Sequence, residues 1–190
     1  MPYCMFSIMR ILDNDEVEAI IAKGKVAPDS KLDAILDELE EKHPGVYRVI
    51  YGEPSDAIAI INKHMADLYL ELSFDVVWVF REKFGKPPEV KDEERWTLTR
   101  LSLIDAELKS ITKKIPMSDK FRKSLQERFV KNCFESRIQL GLLQYLDTAV
   151  TKYASFDKKR ASASHLTINL LFVLVRLMGD LYSFKKAKSA

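Results

Sequence analysis

The sequence predicts an all-α protein, a helical bundle of four main helices with a small acidic N-terminal helical subdomain. Apolar residues recur every three or four positions through most of the chain, which is the spacing of one helix face. Gly and Pro are sparse, at six and seven of 190 residues, and most of them lie between the periodic segments. Long helices joined by short loops usually pack antiparallel, so a bundle is the expected architecture.

The segment from Ser55 to Phe84 is the longest periodic stretch, and it contains neither Gly nor Pro. The Ser55 side chain can cap its first turn by accepting a hydrogen bond from a backbone N–H. Gly85 can adopt the left-handed turn after its last residue, and the Pro residues at 87 and 88 prevent continuation. The apolar residues form two faces, so we expect one long helix packed between other helices.

Residues 1–54 are predicted to form the acidic subdomain with two short helices, and residues 55–190 the bundle domain. Asp13 and Glu16 have capping-box spacing before the first helix, and Ser30 can cap the second. The β-branched and aromatic residues 46–51 could instead form a strand paired with residues 3–11. The sequence leaves residues 1–12 open between an extended segment and a short helix.

Three further helices are expected after the linker at residues 86–91. They are predicted from Asp92 to Lys114, from Ser118 to Ala154 and from Ser164 to Phe184, with a polar basic loop over residues 155–164. The apolar run from 166 to 181 is shorter than a membrane span needs, and three polar or charged residues interrupt it. We therefore expect a buried helix there and no membrane association.

Composition indicates a soluble cytoplasmic protein. Hydrophobic residues make up 47% and charged residues 31%, as in ordinary globular domains. Cys4 and Cys133 have no CxxC or metal-ligand spacing, which suits a reducing compartment. The net charge of +2 is too small to imply a polyanion partner. Residues 1–56 are acidic and residues 158–190 basic, which fits intramolecular or head-to-tail docking, a basic surface for an acidic partner, or simply two solvated ends.

A polar stripe of His64, Asp67, Glu71 and Asp75 follows one side of the long central helix, at spacings of three, four and four residues. Imidazole and carboxylate ligands suit Zn, Fe or Mn, and helical bundles build such sites from facing helices. Three acidic residues could complete the ligand set from other helices: Asp105, Glu107 and Glu135. The alternative is a solvated helix edge whose charges pair with neighbouring Lys and Arg.

The hexapeptide from Arg160 to His165, Arg-Ala-Ser-Ala-Ser-His, precedes the last predicted helix. An Arg followed by four residues and a His at this place in a bundle resembles the short signature of HEPN-type ribonucleases. The resemblance implies that His165 transfers a proton and Arg160 holds the RNA phosphate. Ala161 stands where that family often has a polar residue. The alternative is a basic loop leading into Ser164 as a helix cap.

Other binding chemistry has weaker support in the sequence. A basic run from Lys109 to Lys131 could contact phosphates, but acidic residues interrupt it and no aromatic residues alternate with it in the pattern of RNA-binding motifs. Nucleic-acid binding is therefore not expected. The sequence has no Gly-rich phosphate loop and no Gly-x-Ser-x-Gly elbow.

The sequence best fits a non-enzymatic interaction or adaptor protein that acts through helix faces and forms a homodimer. Helices of about 30 residues outgrow the core of one small domain and can bury their surplus face on a partner. The first alternative is a metal-binding bundle or metal-dependent hydrolase that uses the 64–75 stripe. The second is a HEPN-like ribonuclease that uses Arg160 and His165.

Overall fold

A computed structural model describes residues 9–111, 116–134 and 138–187. Within these ranges the chain forms nine α-helices and no strand, which confirms the all-α class. The expectations for residues 1–8 lie outside the described residues. The helices are α1 (Asn14–Lys25), α2 (Asp29–Lys42), α3 (Pro44–Tyr51), α4 (Glu53–Ile61), α5 (Lys63–Phe84), α6 (Glu93–Ile111), α7 (Asp119–Phe134), α8 (Leu140–Ser155) and α9 (Lys158–Ala187).

Helices α5, α8 and α9 form the centre of the bundle, and α1 and α4 pack around them. The rings of Phe80 and Phe84 in α5 contact Tyr182 in α9, with centroids 5.4 and 6.0 Å apart. These residues lie near the C-terminal ends of both helices, so α5 and α9 run parallel. A two-residue turn joins α8 to α9 and makes that pair antiparallel. As expected, α5 is covered on more than one side and supplies eleven buried residues.

The central helix is not continuous, contrary to the single helix predicted from Ser55 to Phe84. It is divided at Asn62, whose φ of −158° and ψ of 114° are extended. The Asn62 side chain accepts the Met65 amide at 3.0 Å and so caps α5 as a new helix. Asn competes for backbone hydrogen bonds in this way, and it therefore favours caps over helix interiors. The preceding helix, α4, begins at Glu53.

The sequence allowed a strand over residues 46–51, but these residues form part of helix α3. The carboxylate of Glu93 in α6 accepts the Gly45 amide at 2.7 Å and the Val46 amide at 3.3 Å. The Thr97 hydroxyl donates to the same carboxylate at 2.7 Å. The first turn of α3 is thus capped by a side chain from a distant helix. Residues 9–53, the described part of this stretch, consequently contain three complete helices where two were predicted.

Two further boundaries differ from prediction. The segment predicted as one helix from 118 to 154 consists of α7 and α8, and residues 135–137 between them are outside the described residues. The basic segment predicted as a loop over 155–164 is mostly the first part of α9. Asp157 accepts the Lys159 amide at 2.9 Å, so α9 begins at Lys158 and not at Ser164. Asp at this position stabilises a first helical turn.

The segment before α1 is anchored to the start of α8. Met9 and Leu12 are buried in the core. The side-chain amide of Gln139 accepts the Leu12 N–H at 3.0 Å and donates to the Arg10 carbonyl at 3.3 Å. Gly141 lies against the same backbone: a Cβ there would overlap the Leu12 carbonyl oxygen. The atoms next to this position belong to the backbone of Leu12 and Asp13, so they cannot move away as the end of a flexible side chain could.

Replacing Gly141 with Ala is expected to lower the free energy of unfolding by about 2 kcal/mol, the usual cost of overpacking a close contact. Ala is otherwise the better helix former, so a mere change of propensity would stabilise the protein. Urea unfolding followed by circular dichroism measures the difference. Gln144→Ala, an exposed position on the same helix, is the matched control. A stability of Gly141→Ala equal to or above wild type would contradict the close contact.

Candidate functional site

The four residues of the polar stripe differ in how far they are buried. The side chains of His64, Asp67 and Glu71 are exposed on the first half of α5. The His64 Nδ1 and Asp67 Oδ2 atoms are 4.0 Å apart. Asp75 lies on the same side of the helix but is only 8% exposed. The stripe therefore begins in solvent and ends beneath neighbouring helices.

Asp75 is a buried carboxyl with charged and polar groups around it. Its Oδ2 atom has no hydrogen-bond partner. Burial raises the pKa of Asp75 to about 6, and Glu71 adds to this by repulsion. Lys25 of α1 and the Tyr145 hydroxyl of α8 act in the opposite direction. Burial also raises the pKa of Tyr145 to about 12, so this hydroxyl stays protonated at neutral pH.

The acidic residues proposed to complete a metal site from other helices are engaged elsewhere or undescribed. The Asp105 carboxylate pairs with Lys109 of its own helix at 2.5 Å. The Glu107 carboxylate pairs with Arg128 of α7. Glu135 lies outside the described residues. In the described part of the chain, no three His, Cys, Asp or Glu side chains are grouped so that they could hold a metal ion.

Arg160 and His165 both lie on α9, near its start, and point in different directions. Five residues along a helix correspond to a rotation of about 140°. The Arg160 guanidinium lies over the Tyr153 ring of α8, 4.1 Å from its centroid. The His165 ring is exposed and its Nδ1 is 3.1 Å from the Asn169 side-chain nitrogen. Within one chain these two side chains do not converge on a common point.

A buried charged cluster lies between α6, α7 and α9. Its centre is Glu107, whose side chain is almost fully buried. The Glu107 carboxylate accepts a hydrogen bond from Arg128 at 2.5 Å and from Asn132 at 3.2 Å. Its second oxygen is 3.6 Å from Arg176 of α9, which lies 3.6 Å from Asp180 one turn further on. Among the described residues, two negative and two positive groups thus meet between three helices.

The sequence suggested Glu107 as a possible metal ligand and did not predict this cluster. A signal was nevertheless present. Arg176 and Asp180 stand four residues apart, with opposite charge, inside an apolar run that is otherwise a buried helix. A charged pair at that spacing lies on one helix face, and buried charges are normally paired. The signal indicated a buried ion pair but did not identify its partners on α6 and α7.

The remaining candidates offer little room or reactivity. Burial raises the pKa of the Cys133 thiol, so the thiolate needed for nucleophilic attack is disfavoured. A small pocket between α2, α5 and α9 holds about 10 Å³ of space, which suffices for roughly one water molecule. Leu39, Arg81 and Tyr182 are among the residues that line it.

Helix α9 also satisfies a simple criterion for membrane helices. Its segment Lys158–Ser183 is long and apolar enough to cross a membrane by length and composition, and 44% of its most apolar window is buried in the bundle. The core helix of a soluble protein meets the same criterion, so the observation is weak evidence for a span.

Comparisons with known proteins add no assignment: no family model, no curated protein and no solved structure matches the chain.

Proposed function

We propose that this protein is a non-enzymatic adaptor that self-associates through the surface formed by α6 and α7. The observation that carries the proposal is a group of large apolar side chains exposed on these two helices. The exposed fractions are 65% for Leu98, 50% for Ile111, 55% for Phe121 and 49% for Val130. Leu98 and Ile111 are about 140° apart around α6, and Phe121 and Val130 are about 180° apart around α7, so the four side chains are spread over the helical pair and do not form one patch. Single exposed apolar residues are ordinary, but four on two neighbouring helices favour a surface that another protein covers.

The position of α7 supports this choice of surface. Its main neighbour among the described helices is α6, so α7 lies at the edge of the bundle. Phe129 contacts Phe172 of α9, with ring centroids 6.4 Å apart, and Leu125 is buried. A partner could cover the rest of α7 without disturbing the core. We expect that partner to be a second copy, because one apolar surface can cover the same surface of another copy around a two-fold axis.

The test is the mass of the purified full-length protein in solution across a concentration series, measured by sedimentation equilibrium. We expect a dimer for the wild type. Phe121 and Val130 lie on opposite sides of α7, so replacing both with Ser removes an exposed apolar side chain from either side. Dimerisation should then weaken by at least about tenfold, the equivalent of roughly 1.4 kcal/mol of lost apolar burial. Both side chains are about half exposed in the monomer, so its stability should change little.

Val26→Ser is the matched control, because Val26 is 82% exposed but belongs to the turn after α1. It should dimerise like wild type. A monomer at every concentration would contradict self-association. A double variant that dimerises as tightly as wild type would show that the dimer uses another surface, and equal weakening by Val26→Ser would show that the loss is not specific to α6 and α7.

A further inference from the structure

One end of the bundle combines exposed apolar residues with positive charge. We define this end by the α8–α9 turn, which contains Phe156 and Asp157, and by the α4–α5 joint at Asn62. Because α5 and α9 run parallel and α8 runs antiparallel to both, the turn and the joint lie at the same end of the molecule. At equal rise per residue, Asn62 is level with about the first turns of α9. We call this region the turn end.

Three large apolar side chains are exposed at the turn end. Phe156 is 73% exposed, Ile60 is 87% exposed and Ile61 is 45% exposed. Phe156 is the residue after the last turn of α8, so its side chain stands at the tip of a helical hairpin. Exposure of aromatic and aliphatic side chains at the tip costs free energy in water. An apolar environment beyond this end would recover it.

Positive charge surrounds these apolar residues. Within four positions of Phe156, Ile60 or Ile61 there are five Lys or Arg and two acidic residues, Asp56 and Asp157. Asp157 accepts the Lys159 amide and so serves as a helix cap. Lys152, Lys158 and Lys159 are exposed, and among the described residues none of them forms an ion pair. Their charge is therefore available to an anionic surface.

We propose that the turn end binds the surface of an anionic lipid bilayer, with Phe156 inserted among the acyl chains, in contrast to the absence of membrane association expected from the sequence. Each Lys or Arg near an anionic membrane contributes about 1 kcal/mol, and a buried Phe side chain roughly 1.5–3 kcal/mol. Together they suffice for reversible binding at the interface. Nucleic acid fits less well, because Ile60 and Ile61 offer no ring on which a base could stack. The surface is separate from α6–α7, so this inference is independent of the proposed dimer.

The experiment is flotation of the full-length protein with vesicles of phosphatidylcholine, with and without phosphatidylserine. We expect binding only to the vesicles that contain phosphatidylserine, and a loss of binding as salt is raised. Phe156→Ser should lower the partition coefficient by about tenfold, the equivalent of 1.4 kcal/mol. Replacing Lys158 and Lys159 together with Ala should lower it by about tenfold or more.

Matched controls distinguish binding by the turn end from non-specific adsorption to vesicles. Val26→Ser removes an exposed apolar residue from the turn after α1, and Lys23→Ala with Lys91→Ala removes two exposed charges that belong neither to the turn end nor to α6–α7. Both controls should bind vesicles like wild type. Full binding by Phe156→Ser, equal loss in the controls, or no preference for phosphatidylserine would each overturn the proposal. Binding to single-stranded RNA without binding to vesicles would overturn it in favour of nucleic acid.

A second variant at residue 156 tests the insertion even if Phe156→Ser fails to fold. Phe156→Trp keeps an aromatic ring at the tip and adds a fluorophore. Its emission, after subtraction of the wild-type spectrum, should shift to shorter wavelength when vesicles with phosphatidylserine are added. An unchanged difference spectrum would mean that residue 156 stays in water, and the insertion would then be wrong.

Discussion

Replacing Glu107 with Gln is expected to lower the free energy of unfolding by about 3–5 kcal/mol, the usual cost of breaking a buried ion pair. The carboxylate lies between Arg128 of α7 and Arg176 of α9 and also accepts from Asn132. Gln keeps the shape of the side chain but removes its charge. Among the described residues, the variant would leave the guanidinium group of Arg176 and the carboxylate of Asp180, both almost fully buried, without the charge of Glu107, and the partly exposed Arg128 without its carboxylate partner.

Urea unfolding of the two proteins measures this loss, and Asp105→Asn is its control. Asp105 is on the same helix and also pairs with a cation, Lys109, but this pair is exposed. Exposed pairs contribute at most about 1 kcal/mol. If Glu107→Gln costs no more than Asp105→Asn, the buried cluster stabilises the protein no better than a surface ion pair.

The Glu107 cluster also explains how a polar helix is held to the bundle. Helix α7 has few buried apolar residues, and its attachment to α6 includes hydrogen bonds from Arg122 and Gln126 to the Ser110 carbonyl, at 2.9 and 3.0 Å. Charged and polar contacts thus attach α7 to the bundle, whereas apolar contacts attach α5. Proteolysis of Glu107→Gln should begin in α7, since weakened local contacts open before the core does.

Sequence periodicity predicted the helical class and most helices because the 3.6-residue repeat is a local property. It failed where the determining contact is distant. The cap of α3 comes from Glu93, 48 positions after Gly45. No pattern within residues 44–51 contains that information, and their β-branched side chains favoured a strand. The cause of the break at Asn62, by contrast, is local, because the Asn62 side chain itself caps the next helix. The Asn in the sequence could therefore have predicted the break.

The candidate sites show the same limit. The spacing of His64, Asp67, Glu71 and Asp75 correctly placed them on one side of a helix. It could not reveal that α1 and α8 cover only the last of them. Likewise, Arg160 was predicted to lie in a loop just before the last helix, and the resemblance to HEPN-type ribonucleases implied that it acts together with His165. The helical start supplied by Asp157 instead fixes them at different angles around α9.

Replacing Asp75 with Asn is expected to raise the free energy of unfolding at pH 7.5 by about 2 kcal/mol and to remove a pH dependence. Burial raises the pKa of Asp75 from 3.8 to about 6 in the folded protein. Between these values the folded chain binds more protons than the unfolded chain, so stability falls as pH rises through this window. Two pKa units correspond to about 3 kcal/mol, of which Asn recovers the part due to charge burial.

The difference between wild type and Asp75→Asn, measured by urea unfolding from pH 4 to pH 8, isolates this group. Other groups titrate in the same range: burial lowers the pKa of His43, which destabilises the fold in acid and acts in the opposite direction. Because His43 is common to both proteins, its contribution cancels in the difference. The groups that face Asp75 are Lys25, Glu71 and Tyr145, and they are also unchanged.

Asp67→Asn is the control for Asp75, since Asp67 lies on the same side of α5 but is exposed, and its effect should stay within about 0.5 kcal/mol at every pH. A difference curve for Asp75→Asn that is flat from pH 4 to pH 8 would show that water or a counter-charge reaches the carboxylate in the folded protein. A curve that rises with pH and levels above pH 6 would establish that α1 and α8 close over the end of the stripe. The same side of α5 would then consist of two parts, a solvated part through Glu71 and a buried, neutralisable carboxyl beyond it.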